Sequence, residues 1–144
     1  MPELSSDTLH ATTVAIDGQA VVIEGRAGAG KSDLALRLID RGAVLVSDDR
    51  TMLVRDGQRL VARAPGTMAG RLEVRGLGIV TTPHVGDVPV VLVVRLDDED
   101  QRMPERRVRR IAGVVVRELT INPFRASAPL KVEYALRQPE LPPA

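Results

Sequence analysis

Val21-Val22-Ile23-Glu24-Gly25-Arg26-Ala27-Gly28-Ala29-Gly30-Lys31-Ser32 joins a β-branched apolar run to a glycine-rich segment ending in Lys-Ser. The pattern Gly-x-x-x-x-Gly-Lys-Ser has a physical rationale. Glycines let the backbone curl so that successive N–H groups point inward at an anion, and a helix N-terminus adds partial positive charge. A lysine reaches the outer phosphates, and a serine hydroxyl offers an oxygen to Mg²⁺. The flanks agree with this reading. Val21–Ile23 predicts a strand, and from Lys31 to Arg41 the apolar Leu34, Ala35, Leu38 and Ile39 recur at helical spacing before Gly42 stops the helix. Gly25, Arg26, Ala27, Gly28, Ala29, Gly30, Lys31 and Ser32 are therefore the candidate nucleotide-phosphate site. The alternative is a tight strand-to-helix turn that binds nothing.

The next elements place an acid beside those phosphates. The helix carries the chain about 16 Å away at 1.5 Å per residue. The run Ala43-Val44-Leu45-Val46-Ser47 predicts a strand that returns it by about 16 Å at 3.3 Å per residue. Asp48 and Asp49 then arrive at the phosphate-loop end of the sheet, where a carboxylate can coordinate Mg²⁺ or accept a proton from an attacking hydroxyl. Without the phosphate loop, Ser47-Asp48-Asp49 would read equally well as an Asx turn closing a strand.

Working outward, Thr12–Ile16 and Ala20–Glu24 predict a hairpin around Asp17-Gly18, and strands near 51–54 and 59–63 a second one around Asp56-Gly57. Residues 64–70 read as a loop, Leu72-Glu73-Val74 as a short strand, and Gly76-Leu77-Gly78 as a flexible corner. Val88–Leu96 is the most apolar stretch and predicts a central strand. The acidic Asp97–Asp100 precedes five arginines within 102–110, which read either as a solvated helix face or as a phosphate clamp. Gly113–Leu119 predicts another strand, and Ser127 with Pro129 the start of a last helix running to about Arg137. The expected fold is α/β, one P-loop domain over 1–144 with a mixed sheet and few helices, frayed over 1–8 and 138–144.

The bulk composition narrows the class. With 44% hydrophobic and 27% charged residues the chain can bury a core, and 144 residues suit one domain. Phe124 and Tyr134 are its only aromatics, so that core must be aliphatic. A net charge of +1 makes no electrostatic case for nucleic acid or an anionic membrane surface. The lack of cysteine excludes disulfides and thiolate metal sites, and fits a cytoplasmic setting. No apolar run approaches the roughly 20 residues that span a bilayer. Of 20 basic residues only Lys31 and Lys131 are lysines, so an arginine-preferring chain still puts lysine at the motif position that calls for one.

Taken in order, these motifs resemble HPr kinase/phosphorylase. The resemblance runs from Leu9-His10 to about Arg137: a histidine before a hairpin, the phosphate loop, Arg41-Gly42 ending the helix, and Ser47-Asp48-Asp49. Its most specific element is Glu73-Val74-Arg75-Gly76-Leu77-Gly78-Ile79. The resemblance implies the P-loop kinase fold of the HPr kinase/PEP carboxykinase type and a cytoplasmic enzyme that phosphorylates a serine of the phosphocarrier HPr. It implies ATP and Mg²⁺ as cofactors and assembly as a hexamer; the absence of a nucleic-acid or membrane partner is expected from the charge alone. Lys31 would hold phosphate, and Ser32 and Glu73 the metal; Asp49 is a further metal candidate on the reading of the acidic pair itself. Asp48 would be the base, with His10 assisting and Arg102, or failing it Arg106, as catalytic arginine. From the residues alone, His10 reads as a surface histidine and Glu73 as an outward-facing strand residue.

Two departures from the family pattern stand out. Its glycine-rich stretch after the signature is replaced by Thr81-Thr82-Pro83-His84-Val85-Gly86. Its Pro-Val-Arg-Pro-Gly-Arg loop, tied to the reverse reaction with inorganic phosphate, becomes Pro123-Phe124-Arg125-Ala126-Ser127-Ala128 and loses its second arginine. The expected consequence is a retained kinase with weak phosphorolysis. A P-loop kinase of a small metabolite and a non-catalytic ATP-binding sensor are the competing readings.

Overall fold

The structure, a computed structural model, describes residues 6–138. Strands β1 (Ser6–Leu9), β2 (Ala11–Ile16) and β3 (Gln19–Glu24) lead through the glycine-rich loop into α1 (Lys31–Asp40). Then come β4 (Val44–Ser47), β5 (Thr51–Asp56), β6 (Arg59–Arg63), β7 (Arg71–Val74), β8 (Gly78–Thr81) and β9 (Val88–Leu96). The chain closes with β10 (Arg107–Ile111), β11 (Val114–Ile121) and α2 (Ala128–Arg137).

The centre of the mixed sheet is β9. It runs parallel to β3 on one side, and β3 continues antiparallel to β2 and then β4. On its other side the first residues of β9 pair antiparallel with β6 (Val61 with Pro89), while Leu92–Leu96 pair parallel with β11. The sheet therefore divides along β9, and the β6–β5–β1 ribbon leaves from its start.

Side chains alternate between two aliphatic cores, as the period of 2 requires. Val21, Ile23, Leu92 and Val94 meet Leu34, Ala35 and Leu38 of α1 and Val132 of α2. Ala20, Val22 and Val93 meet Leu53, Leu60 and Ala62 of the ribbon and Ile111 and Val116 of the β10–β11 hairpin. Neither core contains an aromatic residue. Arg117 of β11 donates to the Ala135 carbonyl at 2.9 Å, tying the C-terminal turn of α2 to the sheet.

The Asp17-Gly18 hairpin, the helix from Lys31, the central strand at 88–96 and the final helix all form where the sequence places them. Three features differ. Ser6–Leu9 is strand β1, paired in register with Thr51–Val54, where fraying was expected over 1–8; the expected frayed tail beyond Gln138 lies outside the described residues. Gly76-Leu77-Gly78 is the tight turn of a β7–β8 hairpin, closed by Leu77 N–H donating to the Val74 carbonyl at 2.9 Å. The arginines of 107–110 lie on strand β10 and not on a helix. Ala112 and Gly113, both with positive φ, turn β10 directly into β11, and Ile111 can reach the core only as a strand residue.

Candidate active site

The phosphate loop is shaped by close contacts. A Cβ on Gly25 would stand 3.0 Å from Ala29 Cβ and 3.3 Å from Leu96 Cβ, so a side chain there would push on both neighbours where the loop leaves β3 close to the end of β9. Gly30, with φ of +104°, turns the chain into α1 as its N-cap, and no side chain caps that helix end. Its first-turn N–H groups are left to an anion. Lys31 is buried and folds back across the loop, its Nζ donating to the Gly25 carbonyl at 2.8 Å and the Arg26 carbonyl at 3.4 Å.

The strand return brings Asp48 to this loop, as the element lengths require. β4 lies antiparallel to β2, and hence parallel to β3, so its C-terminal end meets the start of α1. Asp48 is buried and accepts three hydrogen bonds. Ser32 Oγ donates at 2.7 Å and Thr12 Oγ1 at 2.9 Å, both to Oδ1, and the Glu73 backbone N–H donates to Oδ2 at 2.9 Å. Four separated segments thus converge on one carboxylate. Asp49 follows with φ of +65° and an exposed side chain, its N–H donating to Thr12 Oγ1 at 3.2 Å. Glu73 stands beside Asp48 through its backbone, while its own carboxylate is exposed.

Among the described residues no cluster of three or more acidic or histidine side chains comes together to hold a metal. The donors that do meet are Ser32 Oγ and Asp48 Oδ1. That pair suits Mg²⁺ at a phosphate site, where one or two hard protein oxygens suffice and phosphates and water complete the octahedron.

An open cleft of about 770 Å³ runs along the loop from Glu24 to Ala29. His10 is exposed on its wall, at the end of β1. The structure therefore joins Ser32, Asp48 and the Glu73 backbone at the helix end of the phosphate loop, and sets His10 on the cleft that runs along Gly25–Ala29. It places Arg102 elsewhere, exposed in the segment between β9 and β10 and off the cleft wall; Arg106 in the same segment is also exposed.

Reading the residues missed several neighbours. Thr12 carried no signal beyond being a polar residue in an apolar hairpin. Arg95 and Phe124 line the cleft, the latter as the only phenylalanine in the chain. Arg109 forms a two-pronged pair with Glu24 at 2.5 and 2.6 Å and reaches Glu118 at 3.3 Å. Hydrogen bonding to Arg109 holds the Glu24 carboxyl below its ordinary range, against the opposing effect of burial. This pair anchors the β10–β11 hairpin to the residue preceding the phosphate loop.

The 122–127 segment closes the other side of the loop. Arg37 of α1 donates to the Pro123 carbonyl at 2.6 Å and the Arg125 carbonyl at 3.3 Å. Asn122 Oδ1 accepts the Phe124 N–H at 2.9 Å. Arg125, the one arginine this loop keeps, is engaged with Asp100 at 2.5 Å.

Comparison with known proteins agrees with this arrangement. Residues 3–126 match the HPr Serine kinase C-terminal domain family. The chain is 38% identical over 128 residues to an HPr kinase/phosphorylase of Burkholderia lata, covering 80% of this chain and 40% of that protein. It is 36% identical over 126 residues to one of Clostridium beijerinckii, covering 78% and 42%. It thus spans about two fifths of the length of these relatives. The Hpr(Ser) kinase/phosphatase of Coxiella burnetii superposes with a TM-score of 0.80 at 30% identity, covering 92% of this chain and 95% of that one. With the phosphate loop, the buried Asp48 and the Glu73 signature assembled at one sheet end, this chain belongs to the HPr serine kinase C-terminal domain family.

Proposed function

We propose that this chain is a cytoplasmic ATP- and Mg²⁺-dependent kinase that phosphorylates a serine on an HPr-type phosphocarrier protein. The convergence of Ser32 and Asp48 carries the reading, because it sets a proton acceptor against the phosphate loop itself. A protein that only senses nucleotide needs no proton acceptor there. The N–H groups of the loop and Lys31 hold the phosphates. Asp48 takes the proton from the acceptor serine as the terminal phosphoryl group leaves ATP, and His10 on the cleft wall faces the incoming protein. Ser32 and Asp48 would hold Mg²⁺, which would supply charge neutralisation to the transferring group.

Among the described residues no helix is long and apolar enough to cross a membrane. The family resemblance supports a hexamer, which sedimentation of the purified chain tests directly. The pairing of Arg125 with Asp100 supports weak phosphorolysis, because the arginine left in that loop is already neutralised.

The deciding experiment incubates the chain with labelled ATP, Mg²⁺ and purified phosphocarrier. Label should reach a serine, and Asp48→Asn should abolish transfer while nucleotide still binds. Transfer to a small metabolite instead would favour a metabolite kinase. An Asp48→Asn protein that transfers at the parental rate would defeat the assignment of Asp48 as base.

A further inference from the structure

Phe124 is the most conspicuous feature that the phosphate-loop chemistry leaves unused. It is the only phenylalanine in a chain whose cores are wholly aliphatic, and it stands 73% exposed. An exposed apolar ring on a loose loop would need no explanation, but this loop is braced. Arg37 holds the carbonyls on both sides of Phe124, Asn122 takes its N–H, and Asn122 Nδ2 donates in turn to the Asp98 carbonyl at 3.1 Å. The backbone is held at three points while the ring itself is left mostly in solvent.

The position of that ring is equally defined. Pro123 abuts the phosphate loop, its ring carbons 3.5 and 3.6 Å from where a Cβ on Gly30 would lie. Phe124 is the next residue, on the wall of the same cleft. Gly30 begins the helix whose N–H groups would receive phosphate, and Phe124 shares the cleft with Gly25–Ala29 of the same loop, within reach of what the phosphates carry.

We infer that Phe124 is the nucleobase platform of this site, and that the base of the donor nucleotide stacks on its exposed face. The inference rests on the phosphate loop being a nucleotide site and goes further by naming the residue that receives the base. A flat apolar surface without hydrogen-bonding groups stacks any base, so the platform accepts purine nucleotides with little discrimination between adenine and guanine. Stacking would also cover the ring that the fold leaves in water.

Tripolyphosphate separates the two readings because it carries the phosphates without a base. The parental chain should bind both ATP and tripolyphosphate in calorimetry. Phe124→Ala should weaken ATP between about fivefold and about 100-fold, the range expected for one lost base–aromatic stack, and leave tripolyphosphate unchanged. Phe124→Trp should retain ATP affinity. Because the chain has no other tryptophan, its fluorescence should change on adding ATP or GTP and stay constant with tripolyphosphate. If Phe124→Ala leaves ATP affinity intact, or raises only the KM for the phosphocarrier, the platform is wrong and the ring is a protein-docking residue. If both ligands weaken together, Phe124 only shapes the phosphate loop, and the inference also fails. If neither ligand binds the parental chain, the phosphate-loop reading falls and takes this inference with it.

Discussion

Two loops meet in the cleft, and they are held in opposite ways. Gly25–Ser32 takes its shape chiefly from its own residues: glycine at the close approach to Ala29, glycine with positive φ at the helix start, and a lysine bonded to carbonyls five and six residues behind it. The 122–127 segment takes its shape from partners far away in sequence. Arg37 lies more than 80 residues earlier and Asp100 some 25 residues earlier. A self-shaped loop keeps its geometry wherever the strand and helix form. A borrowed one changes whenever a partner changes, so it is the natural place for relatives to diverge in the second half of the reaction. The Pro123–Ala128 replacement lies there.

The largest effect should come from attacking the self-shaped loop. Gly30→Val forces a β-branched residue to φ of +104° against Pro123, a strain of about 1–3 kcal/mol, and redirects the N–H groups that meet phosphate. ATP and tripolyphosphate affinity should both fall at least about 100-fold in calorimetry, with folding retained in circular dichroism. Normal binding by this variant would show that loop geometry is not set by Gly30.

Next in size is Arg37→Ala, which removes the donors holding the Pro123 and Arg125 carbonyls and costs about 1–2 kcal/mol. Amide exchange should accelerate at Phe124 and Arg125 and stay unchanged in Gly25–Ser32. Equal acceleration in both loops would erase the contrast drawn between them.

The Glu24–Arg109 pair offers a pH test of how the phosphate loop is joined to the β10–β11 hairpin. Both side chains are about three-quarters buried, so Arg109→Ala should cost about 1–2 kcal/mol at neutral pH after allowance for solvent screening. The folded Glu24 carboxyl titrates below its ordinary value, so the contribution of its charge is present above about pH 4.5 and disappears as pH falls through the lower folded value. Urea midpoints of the parental chain and Glu24→Gln should therefore differ at pH 7 and converge in acid. A gap that stays constant down to pH 3 would assign the effect to shape and not to charge.

The smallest structural effect belongs to the exposed Asp100–Arg125 pair. Asp100→Asn should leave the melting temperature unchanged, because an ion pair open to solvent contributes little. It should still raise phosphate-dependent dephosphorylation of the phosphocarrier severalfold by freeing Arg125. No gain would mean that the missing second arginine, and not this pairing, limits the reverse reaction.

The parts of the fold legible beforehand are those encoded within a dozen neighbouring residues. The Asp17-Gly18 turn, the helical spacing of Leu34, Ala35, Leu38 and Ile39, and the apolar run of β9 each state their own geometry. The arginine-rich 102–110 misled because charge density obscures period, and only Ile111 and the Ala112-Gly113 turn mark the strand. β1 was overlooked because Ser6–Leu9 is a strand only by virtue of pairing with β5, more than 40 residues later.

By itself, then, the sequence determined that a phosphate-binding turn exists, that one helix and one strand return the chain to it, and that Asp48 arrives there. Local conformational preference and fixed rises per residue are enough for that. Only the tertiary structure decided that Thr12 and the Glu73 backbone share Asp48, that Arg109 clamps Glu24, and that Pro123 abuts Gly30 with Phe124 exposed next to it. Those partnerships join residues separated by 25 to 94 positions. No periodicity encodes them, because they arise from how the two cores bring separate strands to one end of the sheet.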